Sequence, residues 1–281
     1  WLLIKERPTN NFAISYSSDG IAWTKANLTN IAFAGDYLWA AARSKEQKKY
    51  IVTGYKFSEN IAEPMVLSSV NGKSWQRINT NGIPNSSSAL RGIMWNAKIS
   101  KWIAVGNQTI VSSSDATTWT TATDTSANNF NTAFLRSIVY GNDQFLALGK
   151  INNNQEVIYS SADGVNWTPN ALNDPSGNGY WLRKAAWSNT KKLWVAVGFG
   201  GTIITSPDGI NWTYRIWDAN QSDWDFWDIQ WSSTFNCWIA IGGSAVSQLA
   251  GNIILYSTNG RTWTRSTSRI PFLTSSIAIA E

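Results

Sequence analysis

Apolar and polar residues alternate in short runs along the whole chain, and clusters of Ser, Asp, Asn and Gly cut the runs apart. LRGIMW is followed by KWIAVG, LRSIVY by QFLALG, WLRKAAW by KLWVAVG and FWDIQW by CWIAIG. Period-two alternation with β-branched and aromatic enrichment predicts strands, and no stretch sustains the 3.6-residue period of a helix. Each pair leads into a third strand and then into a seven-residue signature, Ser-x-Asp/Asn-Gly-x-x-Trp. Its six copies end on Trp23, Trp75, Trp119, Trp167, Trp212 and Trp263. Five intervals give a mean period of 48 residues, the length of one four-stranded blade of a propeller.

The signature is a turn device. A short Ser or Asp side chain bonds to turn amides, Gly takes the positive φ that other residues resist, and the Trp packs back over the hairpin. The third copy reads Ser114-Asp115-Ala116 and lacks the Gly, so a strained or differently built turn is expected there. Asp19, Asp163 and Asp208 are structural residues on this argument.

The expected fold is all-β, a single six-bladed β-propeller of four-stranded antiparallel blades over residues 1–281. The blades are approximately 269–281 with 1–25, then 36–77, 89–122, 134–169, 181–214 and 226–265. WLLIK reads as the second strand of a blade and the C-terminal SSIAIA as an innermost strand. Pairing them closes the first blade with strands from both termini, removes open sheet edges, and brings Trp1 near Glu281.

Composition narrows the chemistry. With no histidine, an imidazole base, a histidine-ligated metal and a Ser-His-Asp triad are excluded. The single cysteine, Cys237, sits in an apolar strand and reads as a buried inert thiol. The net charge of +5 comes from few charges, with no basic run longer than Lys48-Lys49 or Lys191-Lys192, so nucleic acid is not an expected partner. Apolar runs fall far short of the ~20 residues of a membrane span. A soluble chain with no uncleaved signal peptide at Trp1 is expected.

In a four-stranded blade the signature turn shares one face with the turn between strands one and two. The longer loops, such as 168–182 and 213–226, lie on the other face, where function is expected. Two groups stand out there. Trp39, Arg91, Arg136, Arg183 and Trp227 occupy one register position of the inner strands, the last four of them four residues before the aromatic that closes the strand. Converging guanidinium groups suit carboxylate or phosphate. The second group is the stretch from Tyr214 to Asp228, in which Trp217 and Trp224 lie beside carboxylates and amides, with Tyr180 and Trp181 preceding the previous inner strand. Exposed Trp beside such groups suits stacking on sugars or a protein contact.

The repeats, GFGGTIITSPDGINWT above all, resemble Asp-box (BNR-type) β-propellers of the sialidase-like superfamily over essentially the whole chain. That resemblance implies the propeller fold; the superfamily includes sialidases, glycan-binding lectins and photosystem assembly factors. Arg269-Ile270-Pro271 and Arg7 resemble, in permuted order, arginine-bearing segments of sialidases. Pro8-Thr9-Asn10-Asn11 stand where a general-acid aspartate would follow, and Glu156 and Tyr180 are the candidates for a Tyr/Glu pair.

The chain thus reads as a non-enzymatic recognition module, extracellular or on a particle surface, that binds glycan or protein through the face opposite the signature turns. It is expected to use no cofactor and no metal. Two alternatives stay open: a sialidase-type glycoside hydrolase with Arg91, Arg136 and Arg183 as an anion clamp, and a protein-binding scaffold or assembly factor.

Overall fold

A computed structural model describes residues 2–4, 14–28, 31, 36–58, 61–84, 89–126, 130–152, 155–172, 181–218, 220–244 and 252–267. The chain divides into two compact units, residues 1–138 with 163–167, and 139–162 with 168–281. Among the described residues the strands form six sheets. No helix among them is long and apolar enough to cross a membrane.

In the first unit, β1 (Leu2–Ile4), β2 (Ile14–Tyr16) and β3 (Thr24–Lys25) form a three-stranded antiparallel sheet. The strand expected to complete it, within 269–281, lies outside the described residues, as does the expected meeting of Trp1 and Glu281. Two four-stranded sheets follow in simple meander order. One is β4 (Tyr37–Ser44), β5 (Lys49–Ser58), β6 (Ile61–Ser69) and β7 (Gln76–Arg77). The other is β8 (Leu90–Asn96), β9 (Lys101–Gly106), β10 (Thr109–Ser113) and β11 (Thr120–Thr121). After β11, β12 (Thr123–Asp124) runs parallel to the next signature turn, with Thr123 opposite Asn166 and Asp124 opposite Trp167.

Two strands pass from one unit into the other, β13 (Ala133–Gly141) and β16 (Asn166–Ala171). Within the second unit β14 (Gln144–Ile151), β15 (Glu156–Ser161) and the later part of β16 are antiparallel neighbours. Then come β17 (Leu182–Ser188), β18 (Leu193–Gly198), β19 (Ile203–Ser206) and β20 (Thr213–Tyr214) as one meander. The last is β21 (Trp224–Ser232), β22 (Cys237–Ser244), β23 (Asn252–Ser257) and β24 (Thr264–Arg265), entered through a 3-10 turn at Gln221–Asp223.

Within each unit the core lies between consecutive sheets, because a sheet that is apolar on both faces must cover both. In the first unit Ile51 and Val66 meet Leu90, Trp102 and Val111. In the second, Val195 and Val197 meet Phe226, Trp238 and Leu255. The middle strands β9, β10, β18 and β19 are accordingly buried almost throughout.

The signature turn is built as its chemistry demands. In five copies the Ser hydroxyl donates to the Asp or Asn side chain and accepts the amide three residues on at 2.8 Å. The Asp or Asn Oδ1 then accepts two further amides, as Asp208 does from Ile210 at 2.9 Å and Asn211 at 2.8 Å. Trp23, Trp75 and Trp212 close the turn by donating to the Gly carbonyl. Ala116 adopts φ 65° and keeps the same hydrogen bonds, so the Gly-less copy is strained rather than rebuilt.

These bonds depress the carboxyls. The Ile21 and Ala22 amides hold Asp19 down to about 2, and the Thr118 and Thr117 amides hold Asp115 well below the usual carboxylate range. At Asp208 burial pushes upward, but the Asn211 side chain and the Asn211 and Ile210 amides outweigh it and the pKa falls. A carboxylate that needs its negative charge to collect amides is a structural anion. Burial raises the Cys237 thiol, consistent with its packing role.

Candidate functional site

Four of the register residues share one backbone event. The pairing of the innermost strand with its neighbour slips between Leu38 and Ala40, Leu90 and Gly92, Leu182 and Lys184, and Phe226 and Asp228. The residue skipped each time is Trp39, Arg91, Arg183 or Trp227. A bulge gives one residue no partner and turns its side chain away from the regular alternation. A glycine on each second strand makes this possible. A Cβ on Gly54, Gly106, Gly198 or Gly242 would fall 1.8, 2.0, 2.3 or 2.0 Å from the carbonyl oxygen of Tyr37, Ala89, Trp181 or Asp225, each two residues before the bulge.

The residue after that glycine receives the bulged side chain. Trp39 stacks on Tyr55 at 6.4 Å, Arg91 Nε donates to Asn107 Oδ1 at 3.0 Å, and the Arg183 guanidinium lies 4.3 Å over Phe199. Gly243 leaves room for Trp227, whose ring reaches 2.5 Å from where a Cβ would stand.

In the first unit these positions come together. The Trp39 indole carries Arg91 at 4.2 Å and Arg136 at 5.9 Å, with Tyr37 and Tyr55 stacked behind it at 4.6 Å. All three register residues are half-buried, and Trp39 Nε1 makes no hydrogen bond among the described residues. Two guanidinium groups on one ring form a preorganised cationic surface.

In the second unit Arg183 belongs to another aromatic row. Lys150 lies 4.2 Å over Trp181, and Trp181 stacks on Phe199 at 6.3 Å, which carries Arg183. Asp225 accepts the Gly200 amide at 2.9 Å; burial raises its pKa, against the pull of that bond and of Arg183. Lys150 was not among the sequence candidates, although it follows its repeat glycine as Asn107 and Phe199 do.

Trp217 and Trp224 do not form an exposed patch. Trp217 Nε1 donates to the Gly201 carbonyl at 3.0 Å and its ring meets Phe226 edge-on at 5.5 Å. The Gly201 amide donates to the Trp224 carbonyl, Arg265 covers the Trp224 ring at 4.5 Å, and both indoles pack on the core of the last two sheets. Tyr180, Arg7 and Arg269–Pro271 lie outside the described residues. Glu156 is buried and accepts the Tyr214 hydroxyl, so it is fixed as an internal hydrogen-bond partner.

Four-stranded antiparallel meander sheets repeated along the chain, and the solved structures it resembles, support a β-propeller class of protein. It is similar to YCF48 from Cyanidioschyzon merolae, at 15% identity over 91% of this chain and 78% of that one, with a TM-score of 0.63. It is also similar to Sqt1 from Chaetomium thermophilum, at 8% identity over 84% of this chain and 63% of that one, with a TM-score of 0.57. At these identities the likeness shows the fold. No protein-family model matches the chain, and no curated protein does.

Proposed function

We propose that this protein is a non-enzymatic propeller scaffold that binds a protein partner through the cation–aromatic surfaces at the bulges, with Arg91 and Arg136 on Trp39 taking carboxylate side chains or a carboxyl terminus. The observation that carries this reading is the repeated bulge, which spends a backbone irregularity and a space-restricted glycine on the same position in sheet after sheet. Arginine already ordered on an aromatic ring loses little freedom on binding a planar anion. Six blades of the Asp-box type, the first closed by both termini, are part of the same proposal. The packing of Trp217 on Phe226 and the Arg265 cation over the Trp224 ring favour a protein over a glycan ligand, because each indole is already engaged where a sugar would stack.

The test is fluorescence anisotropy with acidic, carboxylate-ended peptides against amidated, neutral controls. Binding that weakens at least about tenfold in Arg136→Ala and with added salt is expected. Glycan-array binding that survives Arg136→Ala and is lost in Trp224→Ala would overturn the reading, as would hydrolysis of a fluorogenic sialoside that Arg136→Ala abolishes.

A further inference from the structure

At the opposite end of the inner strands of the second unit lies a cavity of about 700 Å³. It sits beside the hairpins that share a face with the signature turns, where Gln144 reaches the Asp208 carbonyl. The volume suits a small molecule rather than a protein loop.

Its lining combines cations, amides and indoles. Lys184 and Lys192 both border it, and neither ammonium makes an ion pair among the described residues. The carboxylate there, Asp143, already accepts the Tyr140 hydroxyl at 3.1 Å. Trp187 is fixed from behind, by Trp194 at 5.2 Å and by its Nε1 bond to Asn189 at 2.8 Å. Trp231 is likewise held by Trp238 at 4.4 Å. Gln230 adds an amide with both donor and acceptor character.

We propose that this cavity binds a small phosphomonoester. Lys184 and Lys192 take the phosphate, since two ammonium groups match a dianion as point charges. The body of the ligand, a flat base or a sugar ring, rests on Trp187 and Trp231 within reach of Gln230. The site is independent of the Arg91–Arg136 surface and stands or falls without it.

Isothermal titration of the full chain with AMP, adenosine, glucose 6-phosphate and inorganic phosphate tests this. AMP or glucose 6-phosphate is expected to bind more tightly than inorganic phosphate, and whichever does so identifies the body as base or sugar. Removing both charges with Lys184→Gln and Lys192→Gln is expected to weaken that binding about tenfold or more with the melting temperature unchanged. Should that variant not fold, the intact protein still reports, because raising salt from about 50 to about 200 mM is expected to weaken the phosphomonoester but not adenosine. The proposal is overturned if neither phosphomonoester binds, if inorganic phosphate binds as tightly as both, or if affinity is indifferent to the lysines and to salt.

Discussion

The Gln144 side-chain amide donates to the main-chain carbonyl of Asp208 at 2.6 Å, tying the hairpin of one sheet to the signature turn of the next. Gln47 does the same for Ser114 at 2.6 Å, while Lys49 reaches the Asp115 carbonyl at 2.8 Å. Gln144→Ala is therefore expected to lower stability by about 1 kcal/mol, measured by urea denaturation, although the residue touches no candidate site.

Acid should weaken the fold through the signature carboxyls. Their folded pKa values are depressed, so their contribution is complete above the unfolded value of about 4 and fades as pH falls through the folded values, about 2 for Asp19. Asn71 and Asn259 accept the same pair of amides in two copies. Asp115→Asn should thus cost less than about 1 kcal/mol at neutral pH and flatten the loss between pH 4 and 2, as read by denaturation at each pH.

Glycines of two kinds should separate by cost. A methyl on Gly106 would fall 2.0 Å from the Ala89 carbonyl, so Gly106→Ala should cost at least about 2 kcal/mol. Gly72 has φ 73° but meets only Leu2 Cδ1 at 4.0 Å, and Ala116 fills the equivalent place natively. Gly72→Ala should cost only about 1 kcal/mol. Thermal melts of the two variants side by side check the order.

Trp217→Ala should cost about 2 kcal/mol of stability, because it removes an indole bonded to Gly201 and packed on Phe226. Acidic-peptide affinity should stay unchanged in the same protein, measured by anisotropy below its melting point.

The strands and signature turns were legible because both obey short-range rules: alternation for the strands, and Ser, Asp and Gly at fixed offsets for the turns. The register of Trp39, Arg91, Arg183 and Trp227 was legible as spacing. Its cause was not, since a bulge arises from the close approach of Gly54, Gly106, Gly198 and Gly242 to carbonyls seventeen residues earlier in sequence. The direction of Trp217 and Trp224 was illegible for another reason. A Trp-rich segment on the surface and one folded under it have the same composition, and the choice fell to a carbonyl on Gly201 and a cation on Arg265. Lys184 and Lys192 were illegible as a site because a lone lysine and one half of a lysine pair carry no pattern; only the cavity joins them.

The amide latches also bear on how the molecule comes apart. A sheet whose signature turn is held by its predecessor's hairpin cannot loosen by itself, so neighbouring repeats are coupled in a chain of nearest-neighbour dependencies. Excising the repeat of Asp208 would leave more than a missing part, because the Gln144 amide of the preceding hairpin would lose the carbonyl it meets. Where a latch stands, between Gln47 and Ser114 or between Gln144 and Asp208, the two neighbouring repeats behave as interlocked tiles, and a repeat gained or lost there must restore both the side-chain amide and the carbonyl it meets.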